Sequence, residues 1–242
     1  MKFFGIIVIL ALILSSTSFA QTTLSFTTAD NQNHHRAKAM NAVLIECFKR
    51  MGIVLNIVKM PSKRSLKNAD NGLEDGNFVR TEGITHAYPN LIKVPEKISV
   101  NRIVAFSKNT NIKIKNWQSL SKFNVVCVNG WRNCERELDN PNKVTYVKNE
   151  ELLMTLIEND RTDIGIFGQS TGFEVIKKLG YSSIKSLEPP VAVSDLFLYI
   201  HKKHLGLIDA IVKTLKEMKN DGTYKNLIKD RHNKKNDFEF KK

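Results

Sequence analysis

"SLEPPVAVSDLFLYIHKKH", residues Ser186 to His204, is the stretch on which the topology of this chain turns. Two prolines lead in, an apolar run suited to a buried strand follows, and a basic segment closes it. Behind it come "LGLIDAIVKTLKEMKNDG", an amphipathic helix with Leu205, Ile208, Val212 and Leu215 on its apolar face, and "TYKNLIKD", a final short helix. One strand with trailing helices is too little for a domain of its own. The strand is therefore expected to cross back into a sheet begun upstream.

That sheet begins with "TLSFTT", a strand. "HRAKAMNAVLIECFKRMG" then places Met40, Val43, Leu44, Cys47, Phe48 and Met51 at a 3.6-residue period and ends at Gly52, which predicts a helix. "IVLNIV" reads as a strand, "PSKRSLKNADNG" as a short helix opened by Pro61 and Ser62, and "GNFV" and "VNRIVAFS" as further strands. This order builds a mostly parallel sheet flanked by helices.

The pattern then restarts. "NWQSL" predicts a helical turn, "FNVVCV" a strand, "WRNCERELD" a helix and "VTYV" a strand. "NEELLMTLIEND" is a helix capped by Asn149, with Glu150 and Glu151 in its first turn. "DIGIF" is a strand, and "STGFEVIKKLG" a helix capped by Ser170 or Thr171, with Glu174 in the first turn and Gly180 ending it. Two α/β units in series predict two lobes, 21–106 with 194–230 and 107–193. Crossings near Ala105–Lys108 and Pro190–Asp195 would form a hinge.

The first twenty residues concern address. Lys2, the apolar run "FFGIIVILALIL" and "SSTSFA" with Ser18 and Ala20 read as a signal peptide cleaved before Gln21, which predicts a periplasmic, soluble protein. The run is shorter than the roughly 20 apolar residues a membrane span needs. Cleavage leaves about 220 residues, enough for two lobes of about 100 each. Removing Lys2 lowers the formal charge from +13 to +12. Secretion argues against nucleic acid as the partner, and residues 231–242 read as a solvated basic tail. No cofactor is implied, and a monomer is expected. Three cysteines leave at least one thiol unpaired in a monomer. Cys127 and Cys134 flank a short turn and are the pair to bond if any does; three reduced thiols is the alternative.

"PSKRSLKNADNGLEDGNF", "YPNLIKVPEKI", "NWQSLSKFNVVCVNG", "VKNEELLMTLIENDRTDIGIF" and "HKKHLGLIDAIVKTLKEMKNDGTYKNLI" are similar to successive segments of the family 3 extracellular solute-binding proteins. The resemblance runs from Thr22 to Asp230 and rests on order and spacing. It implies the two-lobed, type II periplasmic-binding-protein fold, also called the Venus flytrap. It further implies capture of a small-molecule solute between the lobes and delivery to an ABC permease, or signalling to a membrane receptor. One departure concerns the ligand. Amino-acid binders of this family carry a threonine, then an arginine a few residues on, shortly before an F-S-x-P-Y-like segment. Here Glu82-Gly83 follow Thr81, and Arg102 precedes "IVAFSKN". The usual α-amino-acid grip does not transfer.

Ligands of open α/β sheets sit beyond the carboxyl ends of the strands. In this chain those ends hold Asp30 and Asn31, Pro61 with the helix carrying Arg64, Arg80, Gly130 with Trp131 and Arg132, and Gln169 with Ser170 and Thr171. A guanidinium at Arg80 offers a two-pronged grip on a carboxylate, or a partner for Glu82. Arg64 offers a second cation or a brace for the Asp75 turn. Trp131 offers a flat wall or core packing, Asp30 an amine partner or a helix cap, and Gln169, Ser170 and Thr171 polar contacts or capping. An enzyme on the same fold, a lyase or dehydratase, would need a positioned acid or base such as Glu82, His86 or Asp30, and no catalytic motif accompanies them. The pair His34–His35 reads as surface rather than metal site, since adjacent helical residues diverge.

Overall fold

The computed structural model describes residues 21–29, 34–138 and 143–229. Residues 1–20, Asp30 and Asn31, and residues 231–242 lie outside the described residues. In chain order come strand β1 (Thr23–Thr28), helix α1 (His35–Arg50), β2 (Val54–Lys59), α2 (Ser62–Asp70), β3 (Gly76–Arg80), β4 (Leu91–Lys93) and β5 (Ser99–Ser107). There follow β6 (Val125–Val128), α3 (Arg132–Glu137), β7 (Val144–Val147), α4 (Glu150–Glu158), β8 (Ile164–Gly168), α5 (Gln169–Leu179) and β9 (Lys185–Ser186). The chain closes with β10 (Ala192–His201), α6 (Ile208–Asn220) and α7 (Thr223–Lys229). Among the described residues no helix is long and apolar enough to cross a membrane.

The strands run in the order β2-β1-β3-β10-β5-β8-β6-β7, with β4 beside β10 and β9 beside β5. Strands β1, β2 and β3 pair parallel, as do β7, β6 and β8. The opening stretch supplies one of the two strands between the groups; β5, antiparallel to β8, is the other. Ala192–Leu196 of β10 pair antiparallel with Ile103–Ser99 of β5, and Phe197–Ile200 with Arg80–Gly76 of β3. The register shifts between Phe197 and Leu198. The returning strand expected from the sequence is β10.

Alternation along these strands feeds apolar side chains to both faces. Leu198 and Ile200 join Phe26, Phe48, Ile211 and Leu215 beneath α1 and α6, while Phe197 and Tyr199 pack on Leu66 and Ala69 of α2. In the other group, Ile103 and Ala105 pack with Trp117, Leu120 and Ile166, whereas Val104 and Phe106 pack with Leu153, Met154, Val175 and Ile176 under α4 and α5. Each large apolar side chain so buried contributes about 1.5–3 kcal/mol before conformational entropy is charged. One close approach fixes the seat of α5. A Cβ on Gly172 would lie 2.2 Å from the Phe106 ring, so glycine lets that helix settle on β5.

Several local expectations need correction. The cap of α5 is Gly168; Ser170 and Thr171 lie inside its first turn, because the helix begins directly at the end of β8. Glu174 lies beyond that turn and reaches across to α1 instead. Leu205 is 58% exposed, since it falls in a 3-10 turn (Lys202–Leu207) ahead of α6. The buried stripe of α6 is Ile211, Thr214, Leu215 and Met218. β4 and β9 are too short to show a period in sequence.

Candidate functional site

Three helices or turns begin where strands of the two parallel groups end. His34 caps α1 after β1, the Gly130–Trp131 turn follows β6, and α5 follows β8. A cavity of about 210 Å³ opens among them, lined by His34, Arg36, Ala37, Asn101, Trp131, Phe167, Gly168, Ser170 and Thr171. Its walls differ in chemistry. Arg36 brings a cation from the first turn of α1. Trp131 and Phe167 pack with ring centroids 5.1 Å apart and planes tilted by 40°, an aromatic wall. Ser170 and Thr171 bring hydroxyls at the positive end of α5, and Asn101 brings an amide from β5.

The Trp131 wall is held from behind. Cys127, near the end of β6, is bonded to Cys134 of α3, with sulfurs 2.06 Å apart. Between them Gly130 adopts φ +77°, and its N–H donates to Glu135 Oε1 at 3.0 Å. Cys47 is free and fully buried; burial pushes its thiol up to about 12.

Of the residues singled out from sequence, Trp131, Ser170 and Thr171 line this cavity. Gly130 supports the wall without lining it, and Arg132 is the first residue of α3. Gln169 points into a neighbouring network, where its Oε1 accepts from Arg102 Nε at 2.9 Å. Arg102 also donates to Glu188 at 3.3 Å. Arg64 is exposed on α2.

Arg80 is elsewhere as well. Its Nε donates to Asn77 Oδ1 at 2.6 Å, Nη1 to Ser62 Oγ at 3.1 Å and Nη2 to Ser65 Oγ at 3.3 Å. Glu82, its expected partner, pairs with Lys93. The backbone explains the diversion. Residues three apart on a regular strand point to opposite faces. Val79 between them takes φ +61°, a rare conformation for a β-branched residue, and the alternation breaks there. Asn77 is fully buried and also donates to Thr27 Oγ1 at 2.7 Å, so Arg80 completes a buried polar cluster under α2.

His34, Arg36, Ala37, Asn101, Phe167 and Gly168 are the cavity residues that sequence reasoning missed. Three carried a signal. His34 and Arg36 open the helix after β1, as the strand-end rule demands one turn further along, and Asn101 is an amide beside Arg102 at the polar start of β5.

No protein-family model matches the chain. An uncharacterized protein of Shewanella oneidensis is 23% identical over 202 residues, covering 81% of this chain and 76% of that protein. Among solved structures, the ligand-binding core of GluR0 in complex with L-glutamate superposes with a TM-score of 0.69 at 11% identity, covering 86% of this chain and 97% of that one. A histidine kinase sensor domain with similarity to periplasmic binding proteins gives 0.64 at 10% identity, covering 86% and 95%. An ancestral arginine-binding protein bound to arginine gives 0.61 at 17% identity, covering 85% and 96%. At such identities the likeness speaks of fold. The chain has the two-lobed α/β fold of periplasmic binding proteins.

Proposed function

We propose that this protein is a periplasmic solute-binding protein of the family 3 extracellular type, which captures a small anionic or zwitterionic solute and delivers it to an ABC importer. The observation that carries the proposal is the cavity itself. It collects one cation (Arg36), one aromatic wall (Trp131 with Phe167) and the hydroxyls of Ser170 and Thr171 at a helix start, all at strand ends. A guanidinium and a helix N-terminus suit a carboxylate, and the aromatic wall suits the apolar body attached to it. The lobes of this reading are 21–106 with 194–230 and 107–193, following a leader at 1–20 and preceding a tail at 231–242. β5 and β10 are the crossing strands about which they close. On this reading Arg36 and His34 of one lobe face Trp131, Ser170 and Thr171 of the other across the cavity. The proposal is of binding and return of an unchanged solute, not of turnover.

The test is mass spectrometry of small molecules released on denaturing protein purified natively from the cell envelope. One small anionic species in near-stoichiometric amount is the expected result. An empty extract, together with no calorimetric response to a panel of small carboxylates and amino acids, would overturn the reading. A sensor role is the second reading, favoured by the likeness to a histidine kinase sensor domain. Capture of a permease rather than a receptor on immobilised, solute-loaded protein separates the two.

A further inference from the structure

Trp131 stands on a turn whose preceding residues, Asn129 and Gly130, are exposed, and it leads into α3, a helix of only 6 residues. Isolated helices shorter than roughly 12 residues are marginal in water, so α3 depends on what its inner side touches. Trp131, Cys134 and Leu138, at its start, middle and end, turn into one core cluster together with Cys127. Backbone bonds fix the entry of the turn. The Asn129 N–H donates to Val147 O of β7 at 2.8 Å, and the Trp131 N–H to Val128 O of β6 at 3.1 Å. The exit is fixed covalently. Cys134 is fully buried at the middle of α3, and its sulfur is bonded to Cys127, equally buried in β6. The bond therefore spans the segment that carries the indole into the cavity wall.

We propose that the Cys127–Cys134 disulfide is a positioning element of the solute site, holding Trp131 in the wall against Phe167 before any solute arrives. The inference rests on the binding reading of this cavity and deepens it. The physical reason is preorganisation. A turn released from the bond samples conformations in which the indole leaves the wall, and binding must then bear the cost of restoring it. If the wall conformation falls to about a tenth of the population, apparent affinity falls about tenfold. Other walls have supports of their own. Helix α5, which carries Ser170 and Thr171, is seated on Phe106 through Gly172, and Asn101 lies within the 9-residue strand β5.

The chain has two tryptophans, and the other, Trp117, is 9% exposed in the core, so the two can be told apart. Time-resolved fluorescence anisotropy of the ligand-free protein compares wild type with the double variant Cys127→Ala/Cys134→Ala. Trp131→Phe in each background isolates the signal of Trp117. Wild type should show an ordered Trp131. Removing the bond should let Trp131 depolarise freely while Trp117 stays as ordered as before. A bond that served stability alone would lower Tm and leave the order of Trp131 unchanged at temperatures where both proteins are folded. Calorimetric titration with the anion released from natively purified protein should show the affinity falling about tenfold in the double variant. Equal order of Trp131 in the two proteins, or equal affinity, overturns the positioning role. So does a mobile Trp131 in wild type, an outcome that requires no variant to fold. An empty extract would sink the binding reading instead, whereas the anisotropy decides this one by itself.

Discussion

Replacing Arg80 with alanine asks whether a strand-end arginine serves ligand or fold. We propose fold, on the hydrogen bonds its guanidinium makes. Three side-chain hydrogen bonds go, to Asn77, Ser62 and Ser65, and the one to Asn77 ends on a fully buried amide oxygen. A hydrogen bond from a charged donor contributes about 1.5–3 kcal/mol, and stranding its buried acceptor costs about 1–3 kcal/mol. These overlap, and water entering the vacated space recovers part, so a net loss of about 2–3 kcal/mol is expected. For a chain of this size that lowers Tm by roughly 5–10 °C. Arg80→Lys should recover little, because an ammonium cannot span three acceptors as a guanidinium does. Calorimetric melting of wild type and both variants measures the stability. Titration with the solute recovered from the native protein measures affinity, which should change less than about threefold, under 0.7 kcal/mol. An unchanged Tm with a tenfold or greater loss of affinity would refute this and return Arg80 to the solute site.

Three further outcomes are expected. Thiol titration of native protein should find no reactive cysteine, since Cys47 is buried with its thiol pushed up to about 12, and denatured, unreduced protein should show one; a count of three would mean that Cys127 and Cys134 are not bonded. Gly172→Ala should destabilise by about 1–3 kcal/mol through overpacking, and an unshifted melting curve would mean that α5 moves freely off the Phe106 ring. At Asp75 burial raises the carboxyl pKa, but Lys203, the Ser25 N–H and His204 outweigh it and hold the group below its ordinary value. A depressed carboxylate adds stability above its unfolded pKa and loses it as pH falls through the folded one. The Tm advantage of wild type over Asp75→Asn should therefore be full near neutrality and shrink below about pH 4; a gap that stays constant into acid would show the charge to be irrelevant.

Much of the candidate site was legible to the extent that it is local. Trp131 follows a glycine at the end of an apolar strand, and Ser170 and Thr171 open a periodic helix, so their place near the cavity followed from strand-end logic alone. Arg80 satisfied the same logic and lies elsewhere. What diverts it is the backbone of Val79, and no residue type at that position announces φ +61°.

The same division holds for the molecule. Element order, the return of Ser186–His204 to the first sheet, the Asn149 cap and the proximity of Cys127 to Cys134 are set by periodicities and spacings within a few residues, where sequence and geometry are tied by the covalent chain. Which strand ends share a cavity is not. His34 and Glu174 stand 140 residues apart, and they meet because β10 lies between β3 and β5 and seats the two parallel groups side by side. That meeting depends on how far helix α5 settles on β5, which Gly172 permits and packing decides. Contacts of that kind are made by the whole fold at once, and no window of the sequence contains them.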